Sequence, residues 1–209
     1  MEASTTEAPL RDSLRQDPTH AVGRPVVPET LVRPFYSDQP TLICLMGLPG
    51  SGKTCLARRL PYALVSSDDF RNQMFPEPRH TRDEHREVFK CVHNEICYYL
   101  KQQRRNNVIL DATNLSEEHR IYVQCLANQA GANTLWFWLQ VPREVAEERI
   151  REREGERAGE LLRAMRRMDE TADWPTSGFI ALNGEDDVDK LEEAVIAIVR
   201  DYELAGKDK

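Results

Sequence analysis

Apolar residues along the chain form short runs that predict strands separated by helices. The run from Thr41 to Met46 is continuously apolar, which is typical of a strand buried on both faces of a parallel sheet. Similar runs predict further strands at Ala63 to Ser66, Asn107 to Asp111, Thr134 to Val141 and Gly178 to Asn183. The pattern therefore predicts a parallel sheet of about five strands.

Helical periodicity fills the intervals between these runs. Helices with one apolar stripe are predicted at Lys53 to Leu60, at 81 to 105, between Ser116 and Gly131, and from Val188 to Tyr202. In the helix after Ser116 we expect Ile121, Cys125, Leu126 and Ala130 to face the core. Strands alternating with helices imply an α/β fold with helices on both faces and ligands at the carboxyl ends of the strands.

Residues 1 to 40 show no sustained period and are rich in proline, which predicts an extended or disordered arm before one domain at 41 to 209. The first ten residues lack the charged-then-apolar order of a secretory signal, and no apolar run approaches the ~18 residues of a membrane span. We therefore expect an intracellular, cytoplasmic protein without a membrane partner.

Charge and cysteine content narrow the function classes. The net charge of −7 gives no strong overall field for a polyanion, although a local basic pocket for one phosphate is compatible with it. The cysteines are odd in number and scattered, which predicts reduced and mostly buried thiols. His93 has no zinc-ligand spacing with Cys91 and Cys97, and the histidines are dispersed, so surface or helix-face roles are expected for them.

A phosphate-binding motif lies between the first strand and the first helix. The sequence matches G-x-x-x-x-G-K-[ST] at Gly47, Leu48, Pro49, Gly50, Ser51, Gly52, Lys53 and Thr54. Glycines let backbone N–H groups surround phosphate oxygens, Lys53 is suited to bridge the β- and γ-phosphates, and Thr54 to bind Mg²⁺. The motif predicts a P-loop NTPase fold, and we include the next residue, Cys55, in the nucleotide site.

An acidic segment follows the second strand. Asp68 can accept the proton of an attacking hydroxyl there, and Arg71 can hold a phosphate of the acceptor. Composition alone also permits a surface turn in which Asp68 caps a helix.

The third strand ends in a second polar segment. Asp111 is suited to hold a water bound to Mg²⁺, and Thr113 and Asn114 to position the acceptor or the base. The same residue types favour a plain strand-to-helix turn, so both interpretations stay open.

A charged helical region at 143 to 169 carries arginines and glutamates at four-residue spacing. We interpret it as a lid whose Arg149 and Arg153 stabilise the transferred charge, with a hinge loosened by Gly155 and Gly159. The alternative is a solvated face in which these arginines form i,i+3 pairs, such as Arg149 with Glu152.

Together, and in this order, the motifs resemble the 5′-polynucleotide kinase branch of P-loop kinases, such as the phage enzyme and the kinase domain of bacterial RNA-repair proteins. The resemblance covers roughly residues 41 to 183. It implies a general base at Asp68, an acceptor-phosphate ligand at Arg71, and lid arginines at Arg149 and Arg153.

The resemblance also implies that Asn183, in the late segment after Gly178 and Phe179, lies beside the nucleobase of the donor. ATP is the expected donor because the family uses it and the chain has no Asn-Lys-x-Asp guanine-reading motif. The expected acceptor is a 5′-hydroxyl end of a polynucleotide. A kinase for a small hydroxylated metabolite and a nucleotide-dependent switch remain as alternatives.

Overall fold

One parallel sheet organises the chain. The computed structural model describes residues 39–102 and 107–205. The strands are β1 (Thr41–Met46), β2 (Ala63–Ser66), β3 (Val108–Asp111), β4 (Asn133–Gln140) and β5 (Ile180–Asn183). They lie in the order β2-β3-β1-β4-β5, and every pairing is parallel. The predicted α/β fold with a five-stranded parallel sheet is therefore confirmed. The predicted arm at 1–38 lies outside the described residues.

Helices cover both faces of the sheet, as predicted. They are α1 (Lys53–Arg59), α2 (Ser67–Met74), α3 (Arg82–Gln102), α4 (Glu117–Gln129), α5 (Arg143–Glu154), α6 (Ala158–Thr171) and α7 (Val188–Ala205). Side chains of a strand alternate between faces. Ile43 and Leu45 of β1 therefore pack with α1 and α7, while Leu42 and Cys44 pack with α3 and α4.

Helix α2 is an element that the sequence pattern does not predict. It starts directly after β2, and the Ser66 side chain caps it by accepting a hydrogen bond from the Asp69 backbone N–H at 3.3 Å. The helix is 8 residues long and begins with polar residues, so its sequence resembles a turn. Its position brings Asp68 and Arg71 to the carboxyl edge of the sheet.

The charged region folds over that same edge. Helices α5 and α6 are separated by one 3₁₀ turn at Gly155–Arg157, where Gly155 has a φ of +56°. Their apolar side chains, including Ile150 and Met165, pack with Met46 at the end of β1. Of the two glycines of the predicted hinge, Gly155 begins this turn and Gly159 lies within α6. The two helices are anchored to the strand that leads into the phosphate loop.

Some side-chain predictions were wrong. Ile121 and Cys125 are exposed on α4, whereas Leu126 and Ala130 pack against the core as predicted. The fully buried positions of this helix are Val123 and Ala127. Cys55 is exposed as well. Within the described ranges, none of the helices has both the length and the apolar character needed to cross a bilayer.

The centre of the sheet should carry much of the stability. Phe137 of β4 is fully buried against both Ile43 and Leu45 in the α1–α7 core. We predict that Phe137→Ala lowers the free energy of unfolding by about 3–5 kcal/mol, because it removes buried contacts and leaves a cavity. Tyr98→Ala, at an exposed position of α3, should change it by less than about 0.5 kcal/mol. Urea denaturation followed by circular dichroism checks both values, and equal losses would contradict this packing.

Candidate active site

The phosphate loop connects β1 to α1 through strained glycine positions. Gly47, Gly50 and Gly52 have φ values of +147°, +84° and +100°, which side chains with a Cβ rarely adopt. A Cβ at Gly50 would also collide with the carbonyl oxygen of Ala146 in α5. Helix α1 begins after Gly52 without a side-chain cap, so its first N–H groups are available to an anion.

Lys53 points back into this loop. Its Nζ donates hydrogen bonds to the Leu48 carbonyl oxygen at 2.8 Å and to Ser51 Oγ at 3.2 Å. Burial lowers the pKa of Lys53 to about 8, against the charges of Asp111 and Asp68, which raise it. The amine therefore lies within electrostatic reach of carboxylates from two different strand ends.

Thr54 and Asp111 meet across the neighbouring strands β1 and β3. The Thr54 hydroxyl donates to Asp111 Oδ2 at 2.7 Å, and burial is the main cause of a raised pKa for this carboxyl group. A hydroxyl oxygen beside a carboxylate fits a hydrated Mg²⁺ that takes its other ligands from phosphates and water. Within the described part of the chain, no cluster of three or more His, Cys, Asp or Glu side chains forms a metal site.

The adjacent carboxylates at the start of α2 have different surroundings. Asp69 pairs with Arg58 of α1, at 3.5 Å between Oδ1 and Nη2. Asp68 is exposed and contributes to the electrostatics of both Lys53 and Asp111. The structure thus places Asp68, and not Asp69, as the unpaired carboxylate beside the loop.

Arg71 is buried with unused hydrogen-bond donors. Its residue is 6% exposed, and among the described residues its Nε and Nη1 atoms have no hydrogen-bond partner. The nearest carboxylate oxygen, Glu84 Oε2, is 3.9 Å from Nη1, too far for a hydrogen bond. A buried guanidinium with free donors is suited to an anion, because leaving such donors unsatisfied costs free energy.

Thr113 and Asn114 brace the start of the loop. The Gly47 N–H donates to the Thr113 carbonyl oxygen at 3.2 Å, and Asn114 Nδ2 donates to the Leu45 carbonyl oxygen at 2.6 Å. Asn114 is buried and has a φ of +51°. Its amide nitrogen is occupied by the hydrogen bond to the β1 backbone. Arg120, which the motifs do not single out, donates to the Asn114 carbonyl oxygen at 3.0 Å.

The lid arginines occupy different positions. Arg149 Nη1 donates to the carbonyl oxygen of Gly184 at 2.9 Å and lies 3.5 Å from those of Gly50 and Ser51. Arg153 is 61% exposed, binds Glu154 at 2.8 Å, and contributes to lowering the pKa of Lys53. Neither arginine forms the i,i+3 pair with glutamate that charge spacing suggested.

A carboxylate that the motifs missed holds the lid together. Glu147 of α5 binds Arg166 of α6 at 2.9 Å, and also Arg151 at 2.6 Å and Arg143 at 3.4 Å. Hydrogen bonds, first of all from Arg166, lower the pKa of Glu147 to about 2. Charge spacing within one helix could not reveal this cluster, because Arg166 reaches it from α6.

Asn183 lies at the carboxyl end of β5, next to the loop. Its side chain bonds to Asp186 Oδ1 at 3.0 Å and to the Glu185 N–H at 3.2 Å. A Cβ on the following Gly184 would lie 2.9 Å from the Ser51 carbonyl oxygen. Asn183 therefore orders the turn that packs against the phosphate loop, and it is exposed.

The fold and loop define a P-loop nucleotide-binding domain. The sequence profile of a family described as AAA domain matches residues 42–173, so the chain belongs to this family. No match is found among curated proteins.

Solved structures of kinases share the fold. The Mycobacterium tuberculosis APS kinase CysC, in complex with AMPPNP and APS, has a TM-score of 0.60 at 17% identity, over 78% of this chain and 98% of that chain. A gluconokinase from Sinorhizobium meliloti 1021 has a TM-score of 0.56 at 18% identity, and the match covers 83% of this chain and 93% of that chain. These likenesses establish a P-loop kinase-like fold.

A third structure, the Pnkp1/Rnl/Hen1 RNA repair complex, contains a chain with a TM-score of 0.50 and 25% identity. The match covers 65% of this chain and 47% of that chain.

The lowered pKa of Lys53 predicts a pH dependence of nucleotide binding. Above pH 8 the free protein loses the Lys53 proton, whereas a bound triphosphate favours the charged amine, so binding must take up a proton. We expect the Kd for Mg-ATP to rise by up to about tenfold per pH unit above pH 8. Calorimetry in buffers of different ionisation enthalpy measures both the Kd and the proton uptake.

Lys53→Arg is the matched control, because a guanidinium stays charged over this pH range. Its Kd should be independent of pH between 8 and 10, whatever its absolute value. The same slope in both proteins would contradict a titrating lysine.

Proposed function

We propose that the chain is an ATP- and Mg²⁺-dependent phosphotransferase that moves the γ-phosphate to a 5′-hydroxyl end of a polynucleotide. The observation that carries the proposal is that Asp68 and Arg71 lie on one short helix, α2, beside the phosphate loop. Residues three apart lie on the same helix face, so a carboxylate and a buried anion site serve one bound acceptor. An acceptor that carries a hydroxyl and a phosphate close together fits this pair.

The donor is held by the loop at 47–54. Backbone N–H groups and the Lys53 amine bind the β- and γ-phosphates, and the Thr54 hydroxyl and Asp111 carboxylate hold Mg²⁺, the latter through water. Bound Mg²⁺ neutralises charge on the phosphates. Cys55 follows the loop at an exposed position, and Asn183 borders it at the end of β5.

Asp68 takes the proton of the acceptor hydroxyl as its oxygen bonds to the γ-phosphorus. The bond from that phosphorus to the β–γ bridging oxygen breaks, and ADP leaves with the electron pair. Arg71 fixes the neighbouring phosphate of the acceptor with its free donors, while Thr113 and Asn114 border the acceptor side at the end of β3. Proximity and a positioned base together account for the rate.

The lid arginines have separate roles in this proposal. Arg149 holds α5 against the phosphate loop and the turn after β5, since its guanidinium lies near two carbonyl oxygens of the loop and that of Gly184. Arg153 is exposed, held by a neighbouring glutamate, and within electrostatic reach of Lys53. Because its side chain is exposed, it can exchange this glutamate for the γ-phosphate and stabilise charge during transfer.

The identity of 25% to a chain of an RNA repair complex supports a polynucleotide acceptor. The neighbours named for APS and gluconate show the fold alone, so a small hydroxylated acceptor is the outcome that would replace the proposal. Residues 41–209 form the kinase domain in this proposal.

Asp68→Asn should separate catalysis from donor binding. The amide keeps the shape of the side chain but cannot take a proton, so kcat toward a 5′-hydroxyl oligonucleotide should fall at least ~100-fold. The Kd for Mg-ATP should stay within about threefold of wild type, because the loop binds the triphosphate. Quenched-flow turnover and calorimetry measure the two quantities.

Asp69→Asn is the matched control, since it removes the adjacent carboxylate, which pairs with Arg58. Its kcat should fall far less than that of Asp68→Asn. Equal losses in the two variants, or an unchanged kcat in Asp68→Asn, would sink the assignment of the base.

A further inference from the structure

A cleft beside the phosphate loop has no role in the steps above. It encloses about 500 Å³ between α3, α4 and α6, and it begins at Thr113 and Asn114 on the carboxyl edge of the sheet. Its walls include Phe89, His119 and Tyr122. The cleft therefore opens onto the acceptor side of the site.

Aromatic rings form a continuous band in this cleft. His85, Phe89 and His93 recur every four residues along α3, and the Phe89 ring lies 4.3 Å from His85 and 5.7 Å from His93 between centroids. From α4, His119 meets Phe89 edge to face at 4.5 Å, and Tyr122 lies 4.6 Å from His93. The histidines expected to be dispersed are thus brought together by the packing of two helices.

Two histidines of the band, His93 and His119, are uncharged and have unused polar atoms. Burial lowers the pKa of both His93 and His119 to about 4, so both rings are neutral at physiological pH. In the described part of the chain, Nε2 of each ring is buried without a hydrogen-bond partner. One nitrogen of a neutral imidazole can donate a hydrogen bond and the other can accept one. A neutral ring has no net positive charge that would attract a phosphate.

The band starts next to Arg71. The pKa of His85 is lowered first by burial and second by the nearby charge of Arg71. Glu84, which precedes His85, has its Oε2 atom 3.9 Å from Arg71 Nη1. An acceptor whose phosphate is held by Arg71 therefore has its terminal residue near His85, at one end of the band.

We propose that this cleft binds the base of the acceptor's 5′-terminal nucleotide by stacking on the aromatic band. The proposal rests on the proposed function and specifies its acceptor as one that carries a planar heterocycle. Bases stack on aromatic side chains with little sequence preference, because every base has a π face. A sugar acid or sugar phosphate has no aromatic base to stack on the band.

Tyr122→Ala tests the cleft with little risk to folding, because Tyr122 is 52% exposed. The probes are adenosine 3′-phosphate and its abasic analogue, which lacks only the base. Calorimetry on the full chain with a non-hydrolysable ATP analogue should give a wild-type Kd at least about tenfold lower for the adenosine compound. Tyr122→Ala should reduce that ratio several-fold by weakening the adenosine compound alone.

Tyr98→Ala is the control, because it removes a tyrosine of similar exposure, 54%, from α3 outside the cleft. It should leave both Kd values unchanged. Equal wild-type Kd values for the two probes, or equal weakening of both by Tyr122→Ala, would overturn the cleft assignment.

Phosphate transfer to the same probes separates this proposal from the proposed function. Base-dependent binding without transfer would support the cleft and contradict the kinase reaction. Transfer to both probes with the same KM would support the kinase reaction and contradict the cleft.

Discussion

The backbone around the phosphate loop is packed too closely for a Cβ atom at several points. One at Gly47 would lie 2.7 Å from the Leu139 carbonyl oxygen, one at Gly184 would lie 2.9 Å from that of Ser51, and one at Gly50 would meet Ala146. Strands β4 and β5 and helix α5 therefore press on the loop together. Because Arg149 of α5 also donates a hydrogen bond to the Gly184 carbonyl oxygen, helix α5 and the loop form one unit at the edge of the sheet.

This constraint concentrates charge at the carboxyl ends of neighbouring strands. Lys53 follows β1, Asp111 ends β3, and Asp68 follows β2, so the parallel order brings an amine and two carboxylates together although they are distant in sequence. Arg71 extends the charged site with two donor atoms that no described residue uses. One topology thus brings the lysine, the two carboxylates and the buried arginine to the same edge of the sheet.

Short sequence patterns predicted the elements whose signature lies within a few consecutive residues. The apolar run at Thr41–Met46 and the glycine-rich motif directly after it are of this kind, so the strand and its loop were predictable. Helix α2 was missed because its residues favour turns. The Glu147 cluster and the histidine band depend on α5 meeting α6 and α3 meeting α4, which periodicity within one helix cannot specify.

The central claim is that the γ-phosphate is transferred to a 5′-hydroxyl end. The most direct measurement incubates the full chain with γ-labelled ATP and Mg²⁺, in parallel with a 5′-hydroxyl oligonucleotide, its 5′-phosphorylated counterpart, gluconate and no acceptor. The account predicts that label moves to the 5′-hydroxyl oligonucleotide and not to its phosphorylated counterpart. Label on gluconate alone, or release of inorganic phosphate at the same rate in every reaction, would contradict it.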